Sequence, residues 1–326
     1  MEDYPLVGLI CLNYNGLSIT YGEKPIIQLC IDSITSTSYE NLKILVVDAS
    51  SDDGSIEFIK SKYENIEHIK VPNIGWGANN NKGIQYLISH YPSIKYIALL
   101  SNDVLLIDPL WLNKMVSRWS QDTGIGIMTG TLIWPDGRLQ FKGLKMSVRG
   151  VPTPNKKNIT GFLKRNYFFN GAFFMVKREV FERVGLIDES YVMMNGEDLD
   201  FCVRAYDSGY LTYLLEDVSV VHLEDATVEK IKEGKFKGYD ISASGGLEFN
   251  MRVNECVFIL RHYKVLVVPW FLNGIITSII GRKEKGFGNI TVRKNVIRNL
   301  IQHMRVIPEA IRRYKRNSIP MLGASE

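Results

Sequence analysis

In its first third the chain alternates short apolar runs with segments of helical spacing, and three of those runs stop at polar residues. Residues 6–12 lead into Asn13, residues 42–47 end at Asp48, and residues 96–100 end at Ser101, Asn102 and Asp103. Between them residues 26–34, 55–63 and 76–89 carry the apolar period of a helix, and residues 66–71 form a short strand pattern. Such alternation predicts βαβ units around a mainly parallel sheet. Ligands of these sheets bind beyond the carboxyl ends of the strands, so Asn13, Asp48 and Asp103 are expected to converge on one pocket.

Beyond Pro109 the segments shorten. GIGIMTGTLIWPDGRLQFKG, residues 124–143, holds a Pro-Asp-Gly turn between extended runs and reads as a hairpin. Residues 149–164 read as a mobile loop, 167–176 as a strand, 210–222 as an alternating strand ending at His222, and the Gly-rich, charged 224–246 as a flexible loop beside the site. From Phe249 onward the pattern is helical. This suggests two parts, a main domain over 1–248 and a helical extension over 249–326.

The net charge of +4 conceals an asymmetry, because residues 251–326 hold 14 Lys or Arg against 4 Asp or Glu. That tail is +10 and the remainder −6, so an anionic partner suits it. Its apolar run at 265–280 is 16 residues long, short of the ~20 that span a bilayer. Basic residues on both sides make peripheral membrane contact through 261–285 an expectation level with that of a helix packed on the main domain. The four cysteines are scattered without paired spacing, which suggests neither a zinc site nor a disulfide framework and fits a reducing compartment. MEDYPLVGLICLNYNG lacks the basic start and cleavage site of a signal peptide. A cytoplasmic location is expected, with peripheral attachment to the inner face of the membrane as one of its two open forms.

Taken singly, the polar sites each have two readings. VMMNGEDLDFCVR, residues 192–204, is either a capped helix with an Asp200–Arg204 pair or a carboxylate cluster with a chemical role. Asp48, followed by ASSDDGS, is either an Asx turn or a carboxylate for the N–H groups of a nucleobase or the hydroxyls of a ribose. Asp103 is either a turn cap or the carboxylate on a hard divalent cation that bridges a diphosphate. His222 is either structural or, if near Asp103, a ligand for a metal such as Mn²⁺.

In order, the motifs VGLICLNYNG, LKILVVDASSDDGS, NIGWGANNNKGI, YIALLSNDV, GTLIWPDGRLQFKG, FFNGAFFMVKREVFERVGLIDES, NGEDLDFCVRAYDSGY and SVVH resemble the inverting family 2 glycosyltransferases. The likeness covers residues 5–223 and is greatest to the rhamnosyltransferase-like branch that builds bacterial surface polysaccharides. It implies an α/β fold of GT-A (Rossmann-like) type, a mixed, mostly parallel sheet flanked by helices with a C-terminal helical extension. It also implies an enzyme that takes a nucleotide-diphospho-sugar donor and a saccharide or lipid-linked saccharide acceptor, with a divalent cation, Mn²⁺ or Mg²⁺.

Carried onto this sequence, the resemblance makes Asp198 the catalytic base with Glu197 beside it, Asp103 and His222 the metal ligands, and Asp48 the base-binding residue. Asn13, Asp53, Asn73, Gly75, Asn80, Ser101 and Asn102 would line the donor side, and Gly171 and Trp134 the acceptor side. Neighbouring Glu197 and Asp200 would raise the pKa of Asp198. The family's metal motif often has acids at both ends, and here Ser101 replaces the first. One rival is a sugar nucleotidyltransferase, but NYNGLSITYGEK offers a single Lys and no Gly-rich phosphate loop. Another is a nucleotide-sugar-binding protein with a degenerate metal motif. No GxGxxG follows the first strand, against a dehydrogenase, and no aromatic stacking motif points to nucleic acid. Oligomeric state stays open, with a dimer compatible.

Overall fold

The alternation in the first third becomes strands and helices in the expected order. The computed structural model describes residues 4–154, 160–192, 196–223, 247–280, 296–316 and 318–322. In chain order the first half gives β1 (Val7–Asn13), β2 (Thr20–Tyr21), β3 (Lys24–Pro25), α1 (Ile26–Thr35), β4 (Leu42–Asp48), α2 (Ser55–Lys62), β5 (Glu67–Lys70), α3 (Trp76–His90), β6 (Tyr96–Ser101), β7 (Val104–Leu106) and α4 (Trp111–Gln121). There follow β8 (Ile125–Ile133), β9 (Leu139–Phe141), β10 (Leu144–Met146), β11 (Pro152–Pro154), β12 (Gly161–Leu163), β13 (Tyr167–Phe168), β14 (Phe173–Lys177), α5 (Arg178–Val184), α6 (Glu197–Asp207) and β15 (Leu211–His222). The tail forms α7 (Leu247–His262), α8 (Val267–Ile280) and α9 (Val296–Arg316).

The main sheet runs β12-β15-β8-β14-β6-β1-β4-β5, with β7 on β15 and β9 on β8. Parallel pairs join β1 to β4 and β6, β4 to β5, and β8 to β15, while β14 opposes both its neighbours and β12 opposes β15. Six of the eight strands on that path therefore point one way, which is the mixed, mostly parallel sheet expected. β1 and β6 are apolar up to their terminal Asn13 and Ser101 because both faces are covered. Ile27, Ile31 and Ile34 of α1 and Trp111, Leu112 and Met115 of α4 pack on Leu9, Cys11 and Leu100 on one face. On the other, Ile84 and Leu87 of α3, Phe181 of α5 and Phe201 of α6 pack on Ile10, Leu99 and Phe174.

The tail helices enter the same core: Val257 and Phe258 of α7 and Val306 and Ala310 of α9 belong to the second of these clusters. α8 meets α9 closely because Gly274 has no side chain, and a Cβ there would lie 2.0 Å from His303 Cε1. Among the described residues no helix is long and apolar enough to cross a membrane.

Three sequence readings need correction. Residues 149–164 are not all loop, since β11 pairs with β10 and β12 extends the main sheet at β15, although 155–159 lie outside the described residues. The strand read at 167–176 is two strands, β13 and β14, separated by a turn in which Asn170 Oδ1 accepts the Ala172 N–H at 2.8 Å. The amphipathic α4 was not anticipated. The hairpin at 124–143 forms as β8 and β9, with Trp134 N–H donating to Arg138 O at 2.8 Å. The segment 224–246 lies outside the described residues.

Candidate active site

The carboxyl ends of β1 and β4 are in register, Asn13 opposite Asp48, and both side chains are fully buried. Asn13 Nδ2 donates to Asp48 Oδ2 at 2.8 Å, and Asn102 Nδ2 donates to Asn13 Oδ1 at 2.7 Å. Asp48 also accepts the Ser51 N–H at 2.8 Å and the Ser51 hydroxyl at 2.6 Å, so the local turn it caps is formed. Asp53 accepts the Ser18 N–H at 2.7 Å and the Ser55 N–H at 3.0 Å, and Asn15 exchanges hydrogen bonds with Asp52. Two loops beyond two strands are thereby stitched together. Asn15 and Ser50 both hold positive φ, 50° and 59°, a backbone strain of the kind that clusters at ligand sites.

At the next parallel strand, the Ser101 N–H donates to Ala172 O at 3.0 Å and the Asn102 N–H to Leu12 O at 3.1 Å. Asp103 is buried, and its Oδ1 has no hydrogen-bond partner among the described residues. His222 Nε2 lies 3.6 Å from that oxygen, too long for a hydrogen bond but a fitting separation for two ligands of one cation. The pairing of β7 with β15, which sets His222 opposite Val104, creates this proximity. His222 Nδ1 lies 3.0 Å from Gln140 Oε1, the outer partner that orients a ligating imidazole. Burial pushes the Asp103 carboxyl up, but the charge of the neighbouring His222 imidazole outweighs it and holds the carboxyl below its ordinary range. Among the described residues no group of three or more His, Cys, Asp or Glu could hold a metal, so any cation would rest on this pair and on ligand oxygens.

Gly171, on the turn before β14, brings the third component. Its N–H donates to Asp198 Oδ2 at 2.9 Å, while Asp198 Oδ1 accepts the Leu199 N–H at 2.9 Å. Asp198 opens α6 behind Gly196, whose φ of 110° only glycine adopts readily. Burial pushes the Asp198 carboxyl above its ordinary range, against the N–H donors of Leu199 and Gly171 that favour its charge. Burial, rather than crowding by Glu197 and Asp200, is thus the main cause. Glu197 is buried beside it.

Asp200, two residues on, differs in every respect. It is fully buried, receives Arg204 Nε at 2.6 Å in the expected i,i+4 pair, and lies 2.7 Å from His262 Nε2 of α7. Burial alone would raise its carboxyl; the Arg204 charge and the His262 hydrogen bond overcome that and hold it below the ordinary range. Arg261 of α7 pairs with Asp188 and donates to Ser190 Oγ at 3.1 Å, and Asn254 Nδ2 donates to Val192 O at 2.9 Å. The chain leading into α6 is therefore clamped by the tail.

Among the other expected positions, Gly75 precedes α3 with φ 121°, Asn73 is half-buried just before it, and Asn80 is buried with Nδ2 on Trp76 O at 2.9 Å and its Oδ1 without a partner among the described residues. Trp134 is half-buried one residue beyond Ile133, which pairs with Val221, so it sits next to His222 at the same sheet edge. A continuous path of contacts thus runs from Asp48 through Asn13 and Asn102 to Ser101, Ala172, Gly171 and Asp198, along the carboxyl ends of the parallel strands.

The family model for glycosyl transferase family 2 matches residues 17–185, more than half of the chain. The chain belongs to that family. It is similar to the O-antigen biosynthesis protein RfbC of Myxococcus xanthus, 22% identical over 64% of this chain. It is likewise similar to an N-acetylglucosaminyl-diphospho-decaprenol L-rhamnosyltransferase of Mycobacterium tuberculosis, 21% identical over 63% of this chain and 74% of that one. Its matches span 25%, 17% and 31% of the length of three curated relatives, RfbC being the 17%. The solved structure of GalNAc-T7 with UDP, GalNAc and Mn²⁺ superposes with a TM-score of 0.61 at 13% identity, covering 85% of this chain and 51% of that one. The GT-A fold that the family implies is the fold found.

For a family 2 chain, four contributors escaped the sequence reading. Trp76 has Cζ2 3.3 Å from where a Gly171 Cβ would stand, and Asp198 Oδ2 is as close to that point, which brings an aromatic ring to the neighbourhood of Asp198. Asn81 fastens α3 to Ile187 O and Glu189 Oε1 at 2.8 and 2.9 Å. Gln140 orients His222, and His262 holds Asp200. Trp76, Asn81 and Gln140 lay inside quoted motifs without being singled out, whereas His262 lay outside them and is brought in by the docking of the tail.

Proposed function

We propose that this chain is an inverting glycosyltransferase of the cytoplasm that moves a sugar from a nucleotide-diphospho-sugar to a hydroxyl of a saccharide or lipid-linked saccharide during surface polysaccharide assembly. The observation that carries this reading is Asp198, a carboxylate of raised pKa fixed by the Gly171 N–H at the edge where the nucleotide-side network ends. A base with a pKa moved toward neutrality accepts a hydroxyl proton more readily than an ordinary aspartate. As Asp198 takes that proton, the acceptor oxygen bonds to the anomeric carbon and the bond to the diphosphate breaks on the opposite face, so the centre inverts in one displacement.

On the donor side, Asn13, Asp48, Asp53 and Asn102 hold the loops that receive the nucleotide, with Asn73, Gly75 and Asn80 closing the α3 side. Asp103 and His222 fit a divalent cation, because a buried carboxylate oxygen without a hydrogen bond faces an imidazole oriented from behind. When bound, Mn²⁺ or Mg²⁺ would neutralise charge on the departing diphosphate. The names of RfbC and of the mycobacterial rhamnosyltransferase support the polysaccharide assignment.

A screen of UDP, GDP and dTDP sugars by release of the nucleoside diphosphate should give one preferred donor. With that donor, Asp198→Asn should lower turnover by about 10²- to 10⁴-fold while leaving nucleotide affinity within a few-fold. Turnover retained by this variant would sink the assignment of the base, and no release from any donor would favour the binding-protein reading.

A further inference from the structure

The two outer tail helices keep apolar side chains in solvent, on faces turned away from the core. On α8 Val268, Leu272 and Ile276 recur every four residues and are 65%, 51% and 52% exposed, with Val265 at 85% one turn earlier. Trp270 and Gly274, on the other side of this helix, are buried against His303. On α9 Ile301 and Met304 are each 56% exposed and Ile311 40%, opposite the buried His303, Val306 and Ala310. Arg305, Arg312 and Arg316 are exposed at spacings of seven and four, which sets them on one stripe beside that apolar strip. Lys264 is exposed at the head of α8.

An apolar strip of this extent on a polar protein marks an interaction surface. The neighbouring charge selects the partner. Burying these strips against a second copy would bring two tails of +10 together, whereas an anionic surface complements them. Apolar side chains beside a row of arginines match the boundary of a bilayer, where acyl chains take the first and phosphates the second. The 14 residues of α8 extend about 21 Å, less than the ~30 Å hydrocarbon core, so the helix suits lying along a membrane rather than crossing it.

We propose that α8 and α9 form a docking surface for an anionic phospholipid bilayer, with Val265, Val268, Leu272, Ile276, Ile301 and Met304 entering the acyl boundary and Arg305, Arg312 and Arg316 meeting headgroup phosphates. This assignment stands apart from the catalytic one, since vesicle binding is read without sugar transfer.

The test is co-sedimentation of the full chain with vesicles of phosphatidylcholine alone or mixed equally with phosphatidylglycerol. Binding is expected to the mixed vesicles only and to weaken as salt is raised. The double variants Val268→Glu/Leu272→Glu and Arg305→Glu/Arg312→Glu should each lower that binding by about tenfold or more, while Ile107→Glu, exposed elsewhere, should bind like the parent. Both double variants must keep the parent's helical circular dichroism and melting temperature. If a double variant unfolds, the milder Leu272→Ser and Arg305→Gln replace it. Equal binding to both vesicle types, no binding to either, or binding untouched by the variants would overturn the proposal. So would a dimer in solution that the α8 variant dissociates, because the strip would then face a second copy.

Discussion

Two acidic clusters border the same sheet edge, and they use their carboxylates in different ways. In the turn after β4, Asp48, Asp52 and Asp53 spend their oxygens on neighbouring N–H and hydroxyl groups, tying two loops into one frame. At the start of α6 the acids divide. Asp200 is saturated by Arg204 and His262, while two residues away Asp198 receives, among the described residues, backbone donors alone and is pushed up by burial. A carboxylate surrounded by cationic partners holds the fold; one buried without them is held out of its preferred state, ready to take a proton.

The largest test of this contrast is stability. Asp200→Asn leaves the largely covered Arg204 and Arg261 beside a neutral amide and should destabilise the chain by about 3–5 kcal/mol, read by urea unfolding. Asp198→Asn removes a desolvated charge without breaking an ion pair and should leave stability at neutral pH equal or higher. The pH dependence of the two acids has opposite sign. Asp200 has a lowered folded pKa, so its contribution is complete above the unfolded value of about 3.9 and is lost as pH falls toward the folded one. Asp198 has a raised folded pKa, so its contribution is complete below about 3.9 and is lost as pH rises through the folded value. The deficit of Asp200→Asn should therefore shrink in acid, and any gain of Asp198→Asn should vanish there. Parallel curves for the two variants would erase the distinction.

Ser51→Ala probes the other cluster. It removes the hydroxyl that donates to Asp48 Oδ2 at 2.6 Å and accepts the Asn15 N–H at 2.9 Å, so a loss of about 1–3 kcal/mol is expected. If the turn is the donor-side frame, nucleotide affinity should fall with it, measured by titration calorimetry, while Asp198→Asn keeps that affinity.

How far this division was legible depends on the range of the interaction. Asn13, Asp48 and Asp103 could be placed at strand ends because apolar runs and their terminal polar residues are local signals. The i,i+4 pair of Asp200 with Arg204 was readable for the same reason. Asp103 beside His222 was not readable from local signals and was expected only through the family resemblance, since it depends on β15 running against β7 across more than a hundred residues. Nor was the docking of α7, because a helix with several apolar faces does not announce which acid its Arg261 or His262 will meet. The loop reading of 149–164 failed where Pro and Gly open short edge strands, β11 and β12, that pair only by tertiary contact.

The smallest test lies at the join between the two clusters. Gly171 is where the strand path from the nucleotide side reaches Asp198, and a Cβ there would stand 3.3 Å from both Asp198 Oδ2 and Trp76 Cζ2. That is tight but not impossible, so Gly171→Ala should fold with a stability change under about 1 kcal/mol. The neighbours must give by a few tenths of an ångström, and the carboxylate that gives is the proposed base. Misplacing a base by so little lowers the chemical step without touching the donor loops. The expected result is a several-fold lower kcat with donor KM unchanged. A raised donor KM with kcat intact would instead place Gly171 on the nucleotide side and move the boundary between the two clusters.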